Sequence, residues 1–451
     1  MPELPGRIHL IGVGGSGMSG LAKLLAQMGR SVSGSDLRPN PSFAELRDLG
    51  VEVWDGHRPN AIGAAQLVVA SSAIPENDPE LAAARSRSVP VWRRPDLLDS
   101  LTSAMPAIGL AGTHGKTTST GLAVTALRAA GRDPSFLVGG RMLGLGTSAH
   151  LGEPDLFVLE ADEAFGTFQR LHLRALLVTN IEADHLDHYG SLDHLVAAFH
   201  QVAQATRGPV VACLDDPGAG ELAEAVGAVT YGTAPEADWQ VSEVETRGGR
   251  VRFTLRGHGT EVAVEVPRPG IHIARNAAGV IALLTELGFA PHALAAGLAA
   301  FAGIRRRFES RGRIGGVSVI DDYAHHPTEV LATVSAARAQ HEGRVVAVFQ
   351  PHRYSRTEEH WEAFGPALAG ADIVVLTDVY AAGEKPIPGV TGALVARAAE
   401  AAGAEVLYVP LRSELAAAVA GLLAPGDLLL TLGAGDITGL TTELIEMRDG
   451  S

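Results

Sequence analysis

Cysteine is all but missing from this sequence: Cys213 is the only one in 451 residues. No disulfide can close within the chain, and no cysteine cluster for zinc can form. The lone thiol reads as a small buried apolar side chain rather than a nucleophile. Lysine is almost as scarce, with only Lys23, Lys116 and Lys385, so arginine carries nearly all the positive charge. Positive charge as a whole is in deficit, 36 Lys and Arg against 51 Asp and Glu, for a formal charge of -15. That excludes a general attraction to nucleic acid or to an anionic membrane. An anionic nucleotide must then be held locally, by helix N-termini, a few basic side chains and a metal. An unbroken apolar run is also lacking. Between Ile8 and Met28, five glycines, two serines and Lys23 interrupt what would otherwise resemble a membrane span. No charged leader precedes this stretch, and the expectation is a soluble cytoplasmic enzyme.

What is present is an ordinary globular balance, 46% hydrophobic and 19% charged. At about 100–200 residues per domain the length suggests two to four domains. Residues 1–104 alternate short apolar runs (Ile8–Val13, Gln66–Ala70, Val89–Trp92) with helical stretches (Gly20–Met28, Phe43–Leu49), which predicts a parallel α/β sheet. A second block, 105–305, opens with the strand Ala107–Ala111. It continues through strands at Leu156–Glu160, Ala175–Thr179 and Val210–Leu214, a small antiparallel element at 239–266 and a helix over Ile273–Leu287. A basic cluster, Arg305-Arg306-Arg307, leads into a third block, 306–451. There Val317–Asp321, Arg344–Phe349, Asp372–Thr377 and Asp427–Thr431 are strand candidates of a second doubly wound unit.

The first apolar run enters Gly12-Val-Gly14-Gly-Ser-Gly17 and a helix follows, with Asp36 about 20 residues on. Glycines let a backbone approach a diphosphate, and a helix N-terminus offers amide donors and a positive dipole end. The motif leaves open which diphosphate is bound: NAD is the usual ligand, and a UDP-sugar carries the same diphosphate and ribose.

The second block holds Gly109-Leu-Ala-Gly112-Thr-His-Gly115-Lys116-Thr117-Thr118 between a strand and a helix. Leu110 stands where the strict phosphate-loop pattern has its first glycine, but the Gly-Lys-Thr core is intact. Loop amides would cradle phosphates, Lys116 would reach the β/γ oxygens, and the Thr117 hydroxyl can hold Mg²⁺. Two further strands end in acids: Glu160-Ala-Asp162-Glu163, and Ile181-Glu182-Ala-Asp184-His185. Acids at the carboxyl ends of parallel strands lie where such sheets bind ligands. Glu160, the first polar residue after its strand, is the better candidate for Mg²⁺. His185 is an unusual magnesium ligand, and chemistry alone allows a hydrogen-bonding loop histidine equally well. Of Asp162, Glu163, Glu182 and Asp184, several must be solvated or paired with arginines.

In the third block three polar clusters each follow a strand: Asp321-Asp322-Tyr323-Ala-His325-His326, Gln350-Pro-His352-Arg353-Tyr-Ser-Arg356, and Asp378-Val-Tyr380-Ala-Ala-Gly-Glu384. Their common placement puts them on one sheet edge. The His325-His326 pair has no further Cys or spaced His to complete a zinc set.

In this order the motifs GVGGSGMSG, GTHGKTT, EADE, TNIEADHLD, Arg306-Arg307-Phe308, DDYAHHPTE, QPHRYSRT and DVYAAGE resemble the Mur ligase family over nearly the whole chain. The resemblance implies three α/β domains: an N-terminal Rossmann-like domain for a UDP substrate (1–104), a central P-loop ATPase-type parallel sheet (105–305) and a C-terminal Rossmann-like domain that brings the amino acid (306–451). It implies an ATP- and Mg²⁺-dependent ligase of peptidoglycan precursor synthesis that joins L-alanine to the carboxylate of UDP-N-acetylmuramate, as a monomer or weak homodimer. On the same grounds Gly14, Gly15, Ser16, Gly17, Met18, Asp36, Ser71 and Ser72 would bind the UDP substrate. Gly112, Thr113, His114, Gly115, Lys116, Thr117, Thr118, Asn276, Arg307 and Asp322 would bind ATP, and Thr117, Glu160 and His185 the metal. Tyr323, His325 and Arg353 would form the amino-acid site, with Lys116, Glu160, His185 and His325 catalytic and His325 a candidate base for the amine. Two departures stand out. Ala164-Phe165 follow EADE where Ser-Asp is common, and Ile273 replaces one asparagine of the adenine motif, leaving Asn276. No lysine lies between Lys116 and Lys385, so the carbamylated lysine of several relatives has no counterpart. A ligase that adds a whole tripeptide to the same sugar nucleotide is the alternative within the family. A dinucleotide-dependent oxidoreductase, resting on the first loop alone, and a non-catalytic nucleotide-binding module are the alternatives outside it.

Overall fold

The computed structural model describes residues 3–449, apart from the side chains of Asp187 and Asp449. Three sheets organise it, each α/β. The first is parallel: β1 (Arg7–Ile11), β2 (Ser31–Asp36), β3 (Glu52–Asp55), β4 (Leu67–Ala70) and β5 (Val91–Arg93) lie in the order β3-β2-β1-β4-β5. The strand order reverses between β1 and β4, the crevice where such sheets take ligands. The expected run Ile8–Val13 leaves the sheet after Ile11, because Gly12 turns at φ 81° and its amide and that of Val13 both donate to Ser35 O. The helix Ser16–Gln27 then begins at once.

The second sheet holds β6 (Ala107–Ala111), β7 (Pro134–Met142), β8 (Thr147–His150), β9 (Glu153–Glu160), β10 (Leu173–Val178), β11 (Val210–Cys213), β12 (Val229–Gly232), β13 (Trp239–Arg247), β14 (Arg250–Gly257) and β15 (Thr260–Val266). Its order is β15-β14-β13-β12-β11-β10-β6-β9-β7-β8. Strand β6 runs parallel between β9 and β10 and is buried along its length, which its unbroken Ala-Ile-Gly-Leu-Ala run allows. The expected element at 239–266 is β13–β15. Its two-residue turns, Gly248-Gly249 and His258-Gly259, all have positive φ, the conformation that suits the twist of tight hairpins.

The third sheet comprises β16 (Glu309–Ile314), β17 (Val317–Asp322), β18 (Val345–Phe349), β19 (Ile373–Leu376), β20 (Val406–Tyr408) and β21 (Leu428–Leu432), in the order β16-β17-β21-β18-β19-β20. Only β16 is antiparallel, to β17; the other pairs are parallel. The last strand inserts between the first and second of the parallel set, so the loops after β17, β18, β19 and β21 share one edge. Val345–Phe349, Ile373–Leu376 and Leu428–Leu432 are buried throughout between two helical layers.

The chain forms two compact units. The first, residues 3–243 with Phe253–Glu265 and Arg275–Ala302, carries the first sheet and most of the second; the other, Val244–Arg252, Val266–Ala274 and residues 303–449, carries the third. Within the first unit the two sheets are tied closely. A Cβ at Gly20 of helix Ser16–Gln27 would overlap Leu137 of β7, and Leu151 N donates to Gln27 Oε1 at 2.7 Å. Among the described residues no helix is long and apolar enough to cross a membrane.

Candidate functional site

At the end of β6 the chain turns through Gly112, at φ 126°, and Gly115, at φ 84°, before the helix Lys116–Ala129 begins. Both backbones lie where an L side chain is strained, and both are closely approached. A Cβ on Gly112 would overlap Thr179 Oγ1, and one on Gly115 would sit 3.0 Å from the Asn276 amide. The predicted residues Gly112, Gly115 and Asn276 are thus brought together. The loop is also stitched to the segment after β10. Thr113 N donates to Asn180 O (3.1 Å), His114 N to Asn180 Oδ1 (2.8 Å), Asn180 Nδ2 to His114 O (3.2 Å), Thr179 Oγ1 to His114 O (2.6 Å) and Glu182 N to Thr113 Oγ1 (2.9 Å). Asn180 and Thr179 were not expected as site residues. Their signal was an amide and a hydroxyl directly after an apolar strand.

Lys116 Nζ donates to Gly112 O (2.7 Å), Thr113 O (3.1 Å) and both oxygens of Glu163 (2.9 and 2.8 Å). Burial pulls its pKa down, but Glu163, Asp162 and Glu160 outweigh that and hold it above the ordinary lysine value. Burial pushes the Glu163 carboxyl up to about 7 against the pull of Lys116. Glu160 is raised too, chiefly by burial, against hydrogen bonds from Gly139 N and the Thr117 hydroxyl. Thr117 and Glu160, expected together, do touch. His185, at φ 55°, lies instead beside Asp162 and Glu163: one ligand atom from each of the three falls within 4.8 Å of the others. The oxygens of Thr117 and Glu160 suit a magnesium ion, and the raised Glu160 carboxyl is the buried acid that a dication would ionise. Asp162 also faces Arg94 at 3.8 Å, and Glu182 faces His114 at 3.3 Å, so part of the acidic surplus is paired. Thr118 is buried on its helix. Phe165 stands at φ 57° and 59% exposed, edge-on to His188, while Ile273 is buried.

In the first sheet Gly14 N donates to Asp36 Oδ2 at 2.9 Å, so this acid closes on the glycine loop itself. Gly15 and Ser16 are exposed, Gly17 is partly so, and no side chain caps the helix start among the described residues. The Met18 side chain is buried in the core, leaving only its backbone to face a ligand. Ser71 lies beside Gly12, and Ser72 follows in the adjoining turn.

In the other unit Tyr323 lies between two guanidiniums, Arg306 at 4.9 Å and Arg307 at 5.0 Å from its ring centre. Asp321 is spent internally on Thr431 (2.8 Å) and Thr438 (2.7 Å). Asp322 accepts from Phe308 N (2.6 Å) and Ala324 N (2.7 Å), and burial pushes it up to about 6 despite Arg307. His325 Nδ1 meets Tyr323 O at 2.9 Å, and its ring is edge-on to His352, which stacks on Tyr380. Arg353 Nε donates to Glu384 Oε1 at 2.6 Å, joining two of the predicted motifs. Burial holds His325 down to about 3 and His352 to about 4. The Tyr323 carbonyl fixes Nδ1 of His325, and burial favours the neutral ring. The loop Gly433–Asp436 after β21 was missed: Arg306 donates to Gly435 O (3.3 Å) and Gln350 Nε2 to Asp436 Oδ1 (2.7 Å). Two glycines after an apolar strand were its only trace.

Three family models match the chain: "Mur ligase family, catalytic domain" over residues 7–105, "Mur ligase middle domain" over 110–284 and "Mur ligase, glutamate ligase domain" over 306–435. A UDP-N-acetylmuramate--L-alanine ligase of Cutibacterium acnes is 42% identical over 100% of this chain and 97% of its own. One of Acidothermus cellulolyticus is 44% identical over 98% and 95%. The crystal structure of UDP-N-acetylmuramate-alanine ligase from Thermotoga maritima superposes with a TM-score of 0.86 at 28% identity, covering 98% of this chain and 99% of that one.

Proposed function

The chain belongs to the Mur ligase family, and from that premise we propose that it joins L-alanine to the carboxylate of UDP-N-acetylmuramate, with ATP cleaved to ADP and phosphate, in the cytoplasmic assembly of peptidoglycan precursors. The division 1–104, 105–305 and 306–451 assigns sugar nucleotide, ATP and amino acid to successive domains. The observation that carries the reading is the loop Gly112–Thr118, with Lys116 clamped between its own carbonyls and Glu163 and with Thr117 on Glu160. Full-length relatives with this activity support the choice of alanine over a tripeptide. A dinucleotide-dependent oxidoreductase leaves this loop without a role.

A carboxylate is a poor acyl donor because its oxygen leaves badly. Transfer of the γ-phosphoryl to that oxygen breaks the β–γ bridge, releases ADP and forms an acyl phosphate. The alanine amine adds to the acyl carbon, phosphate departs with the C–O bond electrons, and the amine proton passes to solvent. Two anions meet in the first step, so fixed positive charge at the phosphoryl group is the main catalytic term. Lys116 supplies it by exchanging Glu163 for phosphate oxygens, and the amides of Gly115–Thr118 orient the chain of phosphates. Thr117, Glu160 and His185 would hold the magnesium ions, which would neutralise phosphate oxygens when bound. Tyr323, His325 and Arg353 are read as the amino-acid site, Arg353 kept in place by Glu384. Incubation of UDP-N-acetylmuramate, ATP and Mg²⁺ with alanine, other amino acids or a tripeptide tests the reading by mass of the product. Alanine should be added preferentially; preference for the tripeptide, or no adduct, contradicts it.

A further inference from the structure

Arg275 and Asn276 are neighbours on the helix Ile271–Glu286, yet they meet different parts of the central sheet. The Asn276 amide lies against the phosphate loop: a methyl group on Gly115 would come within 3.0 Å of both its Nδ2 and its Oδ1. Arg275 meets Asp215 in the turn after β11, with Nε 2.6 Å from Oδ2. That approach is oblique, a contact of charges rather than an aligned hydrogen bond. Asp215 is itself pinned. Its Oδ1 accepts from Thr233 N (2.8 Å) and Ala234 N (3.1 Å), and its Oδ2 from Thr233 Oγ1 (2.9 Å). The end of β12 is shaped around it, since a Cβ on Gly232 would fall 2.5 Å from Oδ1. Burial opposes its charge, but the Thr233 bonds and Arg275 hold the carboxyl below the usual carboxylate range.

One helical turn after Arg275 comes Gly279. A Cβ there would sit 2.6 Å from Tyr231 Cζ of β12 and 2.9 Å from Leu177 Cδ1 of β10. Residues four apart share a helix face, so Arg275 and Gly279 tie one face to the sheet, the first by charge and the second by close packing. Two ties on one face fix the roll of the helix about its axis. Asn276 follows Arg275 by one residue, about 100° further round, and that roll sets it at Gly115. We propose that Arg275, paired with Asp215, is a positioning residue for the nucleotide: it sets the roll that keeps Asn276 against Gly115 and the loop amides aimed at phosphate. This rests on the functional reading above. Gly115, at φ 84°, immediately precedes the helix Lys116–Ala129, so its backbone aims the amides that follow. Arg275 itself is assigned no contact with phosphate.

Arg275→Met, Asn276→Ala and the double variant test this in the full chain, by calorimetric titration of ADP and by steady-state kinetics. Arg275→Met keeps an aliphatic stem and removes the charge. It should weaken ADP and raise the KM for ATP by about 3- to 10-fold, with the KM for UDP-N-acetylmuramate and for alanine unchanged. The double variant should bind ADP no more weakly than Asn276→Ala, because the arginine acts through that amide. Arg275→Lys, which keeps the charge without the guanidinium, should lose less, and it carries the same test where the methionine variant fails to fold. Unchanged ADP binding, losses that add in the double variant, or an equal rise in all three KM values would overturn the proposal in favour of a packing role. Wild-type protein that binds no ADP would instead overturn the functional reading on which the proposal stands.

Discussion

Lys116 is held by two loop carbonyls and by a buried carboxylate, so its charge is fixed before any nucleotide arrives. A charge that need not reorganise during the reaction is worth a few kcal/mol at the transition state. Lys116→Ala should therefore lower kcat by about 10²–10³-fold or more in a phosphate-release assay, and a loss confined to the KM for ATP would contradict this. His325 leads to a different expectation. With its pKa held down to about 3 by burial, its ring is neutral over the whole working range. His325→Ala should slow kcat while the acidic limb of the pH–rate profile stays where it is. Disappearance of that limb would identify the histidine as the base.

The glycine loop works as an element because it is braced from the strand beside it. Gly112→Ala adds a Cβ at φ 126° that overlaps Thr179 Oγ1. Such a backbone costs a non-glycine residue about 1–3 kcal/mol before the clash is counted. The variant should show a lower melting temperature and lose ATP binding by calorimetry; wild-type values in both would show that the loop yields freely. Asn180→Ala removes two of the bonds to His114 and should raise the KM for ATP with little change in that for alanine. These elements also show what a sequence carries. Strands β6, β18 and β19, with Leu156–Leu159 of β9 and Leu428–Leu430 of β21, were legible because both faces are covered, which leaves apolar runs, and the glycines and polar residues after them marked the binding edge. Ser31–Asp36 and Glu52–Asp55 were not, since serine, glycine and acid sit where their sheet meets buried polar partners: Ser35 donates to Glu80, and Gly34 lies against Val13. Asn180 and Gly433–Asp436 were invisible for another reason. Their roles arise from long-range pairing, with Asn180 to the first loop of its sheet and Arg306 to a loop more than a hundred residues on. Local pattern has no access to such contacts.

At the scale of the molecule, stability and pH are linked through the buried acids. The Asp322 carboxyl, pushed by burial from 3.8 to about 6, binds a proton in the folded state that the unfolded chain releases. Its contribution to stability is present below about pH 4 and is lost as pH rises through 6. Asp322→Asn should flatten this stretch of the curve of unfolding free energy against pH, measured by denaturant titration from pH 4 to 7; an unchanged slope would assign the effect elsewhere. The central claim is that a triphosphate held by Lys116 activates the muramyl carboxylate as an acyl phosphate. The most direct measurement uses UDP-N-acetylmuramate with ¹⁸O in that carboxylate, together with ATP, Mg²⁺ and alanine. One labelled oxygen should appear in each phosphate released, as read by mass spectrometry. Phosphate carrying no label would mean that the carboxylate oxygen never met the γ-phosphorus, and the account would fail.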